Sequence, residues 1–133
     1  MSQTSHKYNS SNLPSTASPQ INAKTAEMAI KVHGVAFSTC TQRILTALTE
    51  LGVEYELVSI NFAGGEHKSP AYLKLQPWGK VPVLEDDGFF VFESRAMSKY
   101  VAKKYAGQGT KLIPDGTDLK GYALFEQVTV ISL

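Results

Sequence analysis

From Ala29 to about Gly109 the sequence predicts an α/β domain: a mixed sheet of four strands flanked by helices. Three observations carry that expectation. Two short apolar strand-like segments, Ala29–His33 and Tyr55–Ile60, are separated by a segment of helical apolar spacing. A crossover helix between consecutive strands makes them parallel. Further on, Asp86-Asp87-Gly88 joins Val83–Glu85 to Phe89–Phe92, a hairpin signal that adds antiparallel strands.

Each element has a local reason. Ala29–His33 reads as a short buried strand, followed by a loop over Gly34–Phe37. Ser38 or Thr39 then caps a helix whose apolar residues Ile44, Leu45, Leu48 and Leu51 share one face, and Gly52 ends it because glycine accepts positive φ. After the second strand, Gly64-Gly65 opens a flexible loop, and Ser69-Pro70 starts a short helix through Leu75. The prolines of Gln76-Pro77-Trp78-Gly79-Lys80-Val81-Pro82 rule out helix there. Ser94 is expected to cap a helix with Ala96, Met97, Tyr100 and Val101 on its apolar side, closed by Gly107 and Gly109. The order β-α-β, short helix, β-β-α is that of the thioredoxin fold.

The flanks differ. Residues 1–28 are rich in Ser, Thr, Asn, Gln and Pro, with isolated apolar residues, so a disordered tail is expected. The tail lacks the apolar core of a signal peptide, and it has no arginine, which argues against a transit peptide. Translation from Met1 and translation from Met28 both remain open. Residues 110–116 read as a linker, and Thr117 is expected to cap a last helix through Leu119, Tyr122 and Phe125 within 117–133. The β-branched ending Val128-Thr129-Val130-Ile131 suits a helix poorly.

Composition narrows the function classes. Thirteen basic residues against twelve acidic ones give a net charge of +1, so no nucleic-acid surface is expected. No apolar run approaches bilayer-spanning length, so no membrane partner is expected. The single cysteine, Cys40, excludes an internal disulfide and fits a reducing cytoplasm. His6, His33 and His67 lack metal-ligand spacing, and no metal is expected.

Three motifs in order then point to a family. Glu93-Ser94-Arg95-Ala96 resembles the "ESRA" signature of glutathione transferases, and Pro77–Pro82 resembles their "NPxGxVP" segment, with Gln76 in the usual asparagine place. Gly65-Glu66-His67-Lys68 is similar to a loop of the plant and fungal phi class. The resemblance covers roughly Ala29 to Gln127. It implies glutathione as co-substrate with no other cofactor, and conjugation of small electrophiles as the activity. Glu93 and Ser94 would bind the γ-glutamyl end, since a helix N-terminus offers unpaired amides and partial positive charge to a carboxylate. A cis Val81-Pro82 bond would aim the Val81 backbone at the cysteinyl part. His67, Lys68 and Lys80 would meet the glycyl carboxylate, Lys80 standing where the class usually has glutamine.

Ser38 is the catalytic residue the resemblance implies, donating a hydrogen bond to the glutathione sulfur, with Thr39 as its neighbour and nearest substitute. From position alone Ser38 reads first as an N-cap. Cys40 lies two residues beyond the position at which related classes use a cysteine, and its default reading is a small helix-packing residue. Likewise His67 and Lys68 also read as solvated loop residues. Trp78 and the phenylalanines read as core, and His33 as a partly buried strand-end residue.

Transferases of this family carry an all-helical second domain, here reduced to its opening helix. The resemblance therefore implies a weakened or lost homodimer, low stability and low turnover for this chain. Two rival readings remain: a non-catalytic transferase-like interaction module, and a thiol-disulfide oxidoreductase or dehydroascorbate reductase. The absence of a C-x-x-C pair speaks against the latter.

Overall fold

The computed structural model describes residues 30–131. The tail expected over 1–28 therefore lies outside the described residues. In chain order the elements are β1 (Ile30–Gly34), α1 (Thr39–Glu50), β2 (Tyr55–Ser59), a single 3₁₀ turn (Glu66–Lys68), α2 (Pro70–Leu75), β3 (Val83–Asp86), β4 (Phe89–Phe92), α3 (Ser94–Lys104) and α4 (Leu119–Ile131).

The strands form one four-stranded sheet in the order β2-β1-β3-β4. β1 pairs parallel with β2, Val32 opposite Leu57, and antiparallel with β3, where Val32 faces Leu84. β3 and β4 close a two-residue hairpin in which Asp87 (φ 49°) and Gly88 (φ 77°) are both left-handed. That is the turn whose twist matches the flanking strands.

Alternation along the strands sends apolar residues to both faces. On one side Ile30, Val32 and Leu84 pack with Ile44, Ala47, Leu48 and Leu51 of the α1 segment and with Met97 and Val101 of α3. On the other, Val83 packs with Val35, Ile60 and Tyr72, the last carried by α2. The first cluster is the larger, and it fixes α1 against α3, so their N-terminal ends lie over the same sheet.

Four expectations are corrected. Ser94 does not cap α3: Glu93 holds the cap position at φ 72°, ψ 104°, and Ser94 is the first helical residue, buried at 6% exposure. In the same helix the buried stripe runs through Met97, Val101 and Ala102, while Ala96 faces solvent. Asp118, not Thr117, caps α4, its Oδ1 accepting from the Gly121 amide at 2.9 Å. And α4 runs through the β-branched ending to Ile131, Thr129 Oγ1 donating to the Phe125 carbonyl at 2.8 Å. Such residues cost at most about 0.7 kcal/mol each in a helix. No residue of α4 is buried.

Candidate functional site

Two segments meet beside the C-terminal end of β1, and a third, the start of α3, is tied to α1 by a hydrogen bond. The first is the start of α1. Ser38 is extended (φ −71°, ψ 126°) and caps the helix, its Oγ accepting from the Thr41 amide at 3.5 Å. That contact is long, because N–H···O bonds cluster at about 2.7–3.2 Å. The hydroxyl proton remains available to an outside acceptor. Thr39 is exposed and Cys40 half-buried, both in the first turn.

The second segment runs from Gln76 to Pro82. Gln76 takes the buried position at 2% exposure, with its Oε1 accepting from the Trp78 amide at 2.7 Å. This turns Trp78 outward. Its ring is 60% exposed and meets Phe92 only edge-on, at 5.3 Å between centroids. The expectation that Trp78 and the phenylalanines are core is thus corrected for Trp78 and for Phe37, Phe62, Phe89 and Phe90, all exposed, whereas Phe92 packs against both core clusters. The Val81-Pro82 bond is cis. A side chain on Gly34 would come within 2.8 Å of Thr41 Oγ1 and 3.2 Å of Pro82 Cβ. The end of β1, the first turn of α1 and the Val81-Pro82 bend therefore touch. Val81 donates or accepts no backbone hydrogen bond among the described residues, which leaves its amide and carbonyl free to pair with an added backbone segment.

Beside it lies an open depression of about 400 Å³ lined by Phe62, His67, Lys68, Gly79, Lys80 and Val81. His67 stacks flat on Phe62, centroids 3.9 Å apart, and its Nδ1 is buried without a partner. Lys68 Nζ donates to the Trp78 carbonyl at 2.8 Å, which leaves two of its three donors for a ligand. The Lys80 carbonyl accepts from Tyr72 Oη at 2.7 Å, fixing its backbone, while its side chain is exposed. Gly79, at φ 59°, is needed here: a Cβ would lie 2.5 Å from the His67 carbonyl oxygen. Burial first, then the nearby Glu66 charge, pushes the Tyr72 phenol up to about 12, so it stays a proton donor.

The third segment is the N-terminus of α3. Glu93 is exposed and held in a left-handed conformation that non-glycine residues rarely adopt. Such strain costs about 1–3 kcal/mol and clusters at ligand sites. Ser94 follows as the first helical residue, and Arg43 Nη1 of α1 donates to Ser94 Oγ at 2.6 Å.

Of the eight residues the sequence singled out, His67, Lys68, Lys80 and Val81 share one depression. Ser38 and Thr39 begin α1, and Glu93 and Ser94 begin the neighbouring α3. Sequence reasoning missed Arg43, Phe62 and the anchoring role of Gln76. Only the motif around Gln76 gave a local signal.

Comparison with known proteins decides the family. Residues 28–103 match the family model described as the glutathione S-transferase N-terminal domain. The chain belongs to this family. It is 47% identical to glutathione S-transferase PM239X14 of Arabidopsis thaliana over 104 residues, 77% of this chain and 47% of that protein. It is 49% identical to glutathione S-transferase hmp2 of Hypomyces subiculosus over 100 residues, 75% of this chain and 46% of that one. Among solved structures, glutathione transferase F7 from Populus trichocarpa aligns with a TM-score of 0.70 at 41% identity, covering 74% of this chain and 46% of that chain. A glutathione S-transferase-I solved with lactoylglutathione aligns at 48% identity and TM-score 0.56, over 58% of this chain and 37% of that one. These relatives are phi-like transferases, and the chain spans about half the length of the curated ones it matches. No helix among the described residues is long and apolar enough to cross a membrane.

Proposed function

We propose that the chain binds glutathione and stabilises its thiolate for conjugation to small electrophiles in the cytoplasm. The observation that carries this reading is the depression that unites His67, Lys68, Lys80 and the unpaired backbone of Val81. The cations suit the glycyl carboxylate, and the Val81 amide and carbonyl suit the cysteinyl unit as an added strand. Glu93 takes the γ-glutamyl ammonium. The Ser94 hydroxyl and amide take the neighbouring carboxylate at the positive end of α3. Ser38 donates to the sulfur, with Thr39 beside it.

The energy is sufficient. Lowering a thiol pKa by about two units requires about 2.7 kcal/mol of preference for the thiolate. A charge-assisted hydrogen bond gives about 1.5–3 kcal/mol, and the end of α1 about 0.3–1 kcal/mol. The thiolate then attacks an electrophilic carbon, a carbon–sulfur bond forms, and the displaced group leaves with its electron pair.

Residues 29–109 would form the glutathione-binding unit, 110–116 the linker and 117–133 the opening of a helical region. Holding an electrophile and forming the family's dimer would fall mainly to further helices beyond α4. The test compares glutathione with its glycine monoester by calorimetry, and follows turnover of a chlorodinitroarene. Esterification weakens binding about tenfold if the cations read the carboxylate, about 1.4 kcal/mol. Equal affinities would remove the depression from the site.

A second reading, a non-catalytic interaction module, is favoured by one observation: α4 exposes Leu119, Leu124, Val128 and Ile131. Binding of glutathione with no turnover even when the chain is fused to a relative's helical half would support that module over the enzyme.

A further inference from the structure

Arg43 stands out because nothing in the glutathione assignment uses it. It projects from α1 and reaches α3, fifty-one positions away, to donate from Nη1 to Ser94 Oγ at 2.6 Å. A guanidinium has donors only, so the serine oxygen must accept, and the hydroxyl proton is left pointing elsewhere. Among the described residues nothing receives it: the Ser98 hydroxyl uses the Ser94 carbonyl instead. Yet Ser94 is buried, where an unused donor is costly.

The charge is also on the wrong end of the helix. A cation beside a helix N-terminus opposes the dipole, and no carboxylate among the described residues lies within ion-pair distance of Arg43. A full positive charge, the partial charge of α3 and an unassigned hydroxyl proton thus meet at one buried oxygen. An anion placed there answers all three.

We propose that Arg43 is a positioning residue for the γ-glutamyl carboxylate of glutathione, acting through Ser94. The guanidinium fixes the serine rotamer, commits its proton to the ligand and adds attraction in a poorly solvated spot. The inference rests on the glutathione reading given above.

The test uses the full chain and two ligands in calorimetry: glutathione and 4-aminobutyryl-cysteinyl-glycine, which lacks only that carboxylate. Arg43→Gln should weaken glutathione about tenfold, or about 1.4 kcal/mol, while leaving the carboxylate-free analogue within twofold. In a Ser94→Ala background the same substitution should cost less than twofold. Arg43→Lys, which keeps the charge, should lose less than Arg43→Gln, and it is read alone if Arg43→Gln does not fold. Equal losses for both ligands would make Arg43 a purely structural residue and overturn the proposal, as would unchanged glutathione affinity. If Ser94→Ala leaves glutathione binding intact, the assignment of α3 to glutathione fails first. If Ser94→Ala weakens binding and Arg43→Gln does not, only the present inference fails.

Discussion

Replacing Ser38 separates two roles that its position allows, helix cap and thiolate donor. The cap contact to the Thr41 amide is 3.5 Å, so its loss should fall at the low end of the capping range, about 0.5 kcal/mol. For a domain of this size that is a fall of about 3 °C in melting temperature. The thiolate role is larger: Ser38→Ala removes a hydrogen bond of about 1.5–3 kcal/mol to an anion, raising the bound thiol's pKa by about one to two units. Ser38→Asp sharpens the contrast. Aspartate caps a helix as well as serine does, but it sets a carboxylate against the sulfur and offers no proton. The melting temperature should hold while the thiol pKa rises at least as far as in the alanine variant. The assay is the ultraviolet absorbance of the thiolate of bound glutathione against pH, at saturating ligand, beside a thermal melt. If the alanine variant melts lower and the bound thiol titrates as before, Ser38 is a cap alone and the mechanism is refuted.

Three further outcomes are expected. Glu93→Gly relieves the left-handed backbone at φ 72° and should stabilise the fold by about 1 kcal/mol while glutathione affinity falls; lowered stability in urea unfolding would contradict it. Gly79→Ala, whose Cβ would lie 2.5 Å from the His67 carbonyl oxygen, should destabilise by about 1–3 kcal/mol and weaken glutathione through the displaced His67–Lys68 turn; a variant that melts and binds as the parent does would show that the turn tolerates a side chain. The last concerns acid stability. Burial alone would push the Asp86 carboxyl up, but hydrogen bonds from Lys104 and Tyr100 and the Lys104 charge outweigh it and hold the carboxyl below its ordinary value. A depressed pKa contributes stability above the unfolded value, about 3.9, that is lost as pH falls through the folded value. Asp86→Asn should therefore be less stable at neutral pH and show a shallower loss of stability below about pH 4; parallel curves would remove this carboxylate from the acid limb.

Most of the architecture was legible because it rests on local chemistry. Asp87 and Gly88 tolerate the two positive φ values the hairpin needs, Ser69-Pro70 begins α2 as read, and Gly52 (φ 64°) follows α1. The helix faces were legible only to within a residue: Ala96 faces water while Ala102 is buried, because a short apolar stripe leaves its phase loosely defined. The Ser94 cap failed for a different reason. Serine favours capping in general, but tertiary packing buries it under Arg43 and puts the strain on Glu93. No neighbouring residue announces a left-handed glutamate. Trp78 misled because aromatic residues are usually core, whereas here Gln76 is the buried residue of this segment and its Oε1 accepts from the Trp78 amide. The candidate site residues were singled out through spaced motifs, whereas Arg43 and Phe62 make contacts across the fold with no motif of their own.

The proposed function places the start of α3 and the Val81 bend in one glutathione site. Calorimetric titration of the 133-residue chain with glutathione, repeated on a Glu93→Ala/Ser94→Ala double variant, tests it most directly. The parent chain is expected to bind saturably, and a double variant that still folds is expected to lose that binding. Undiminished binding by the folded double variant, or no binding by the parent at millimolar glutathione, would contradict it.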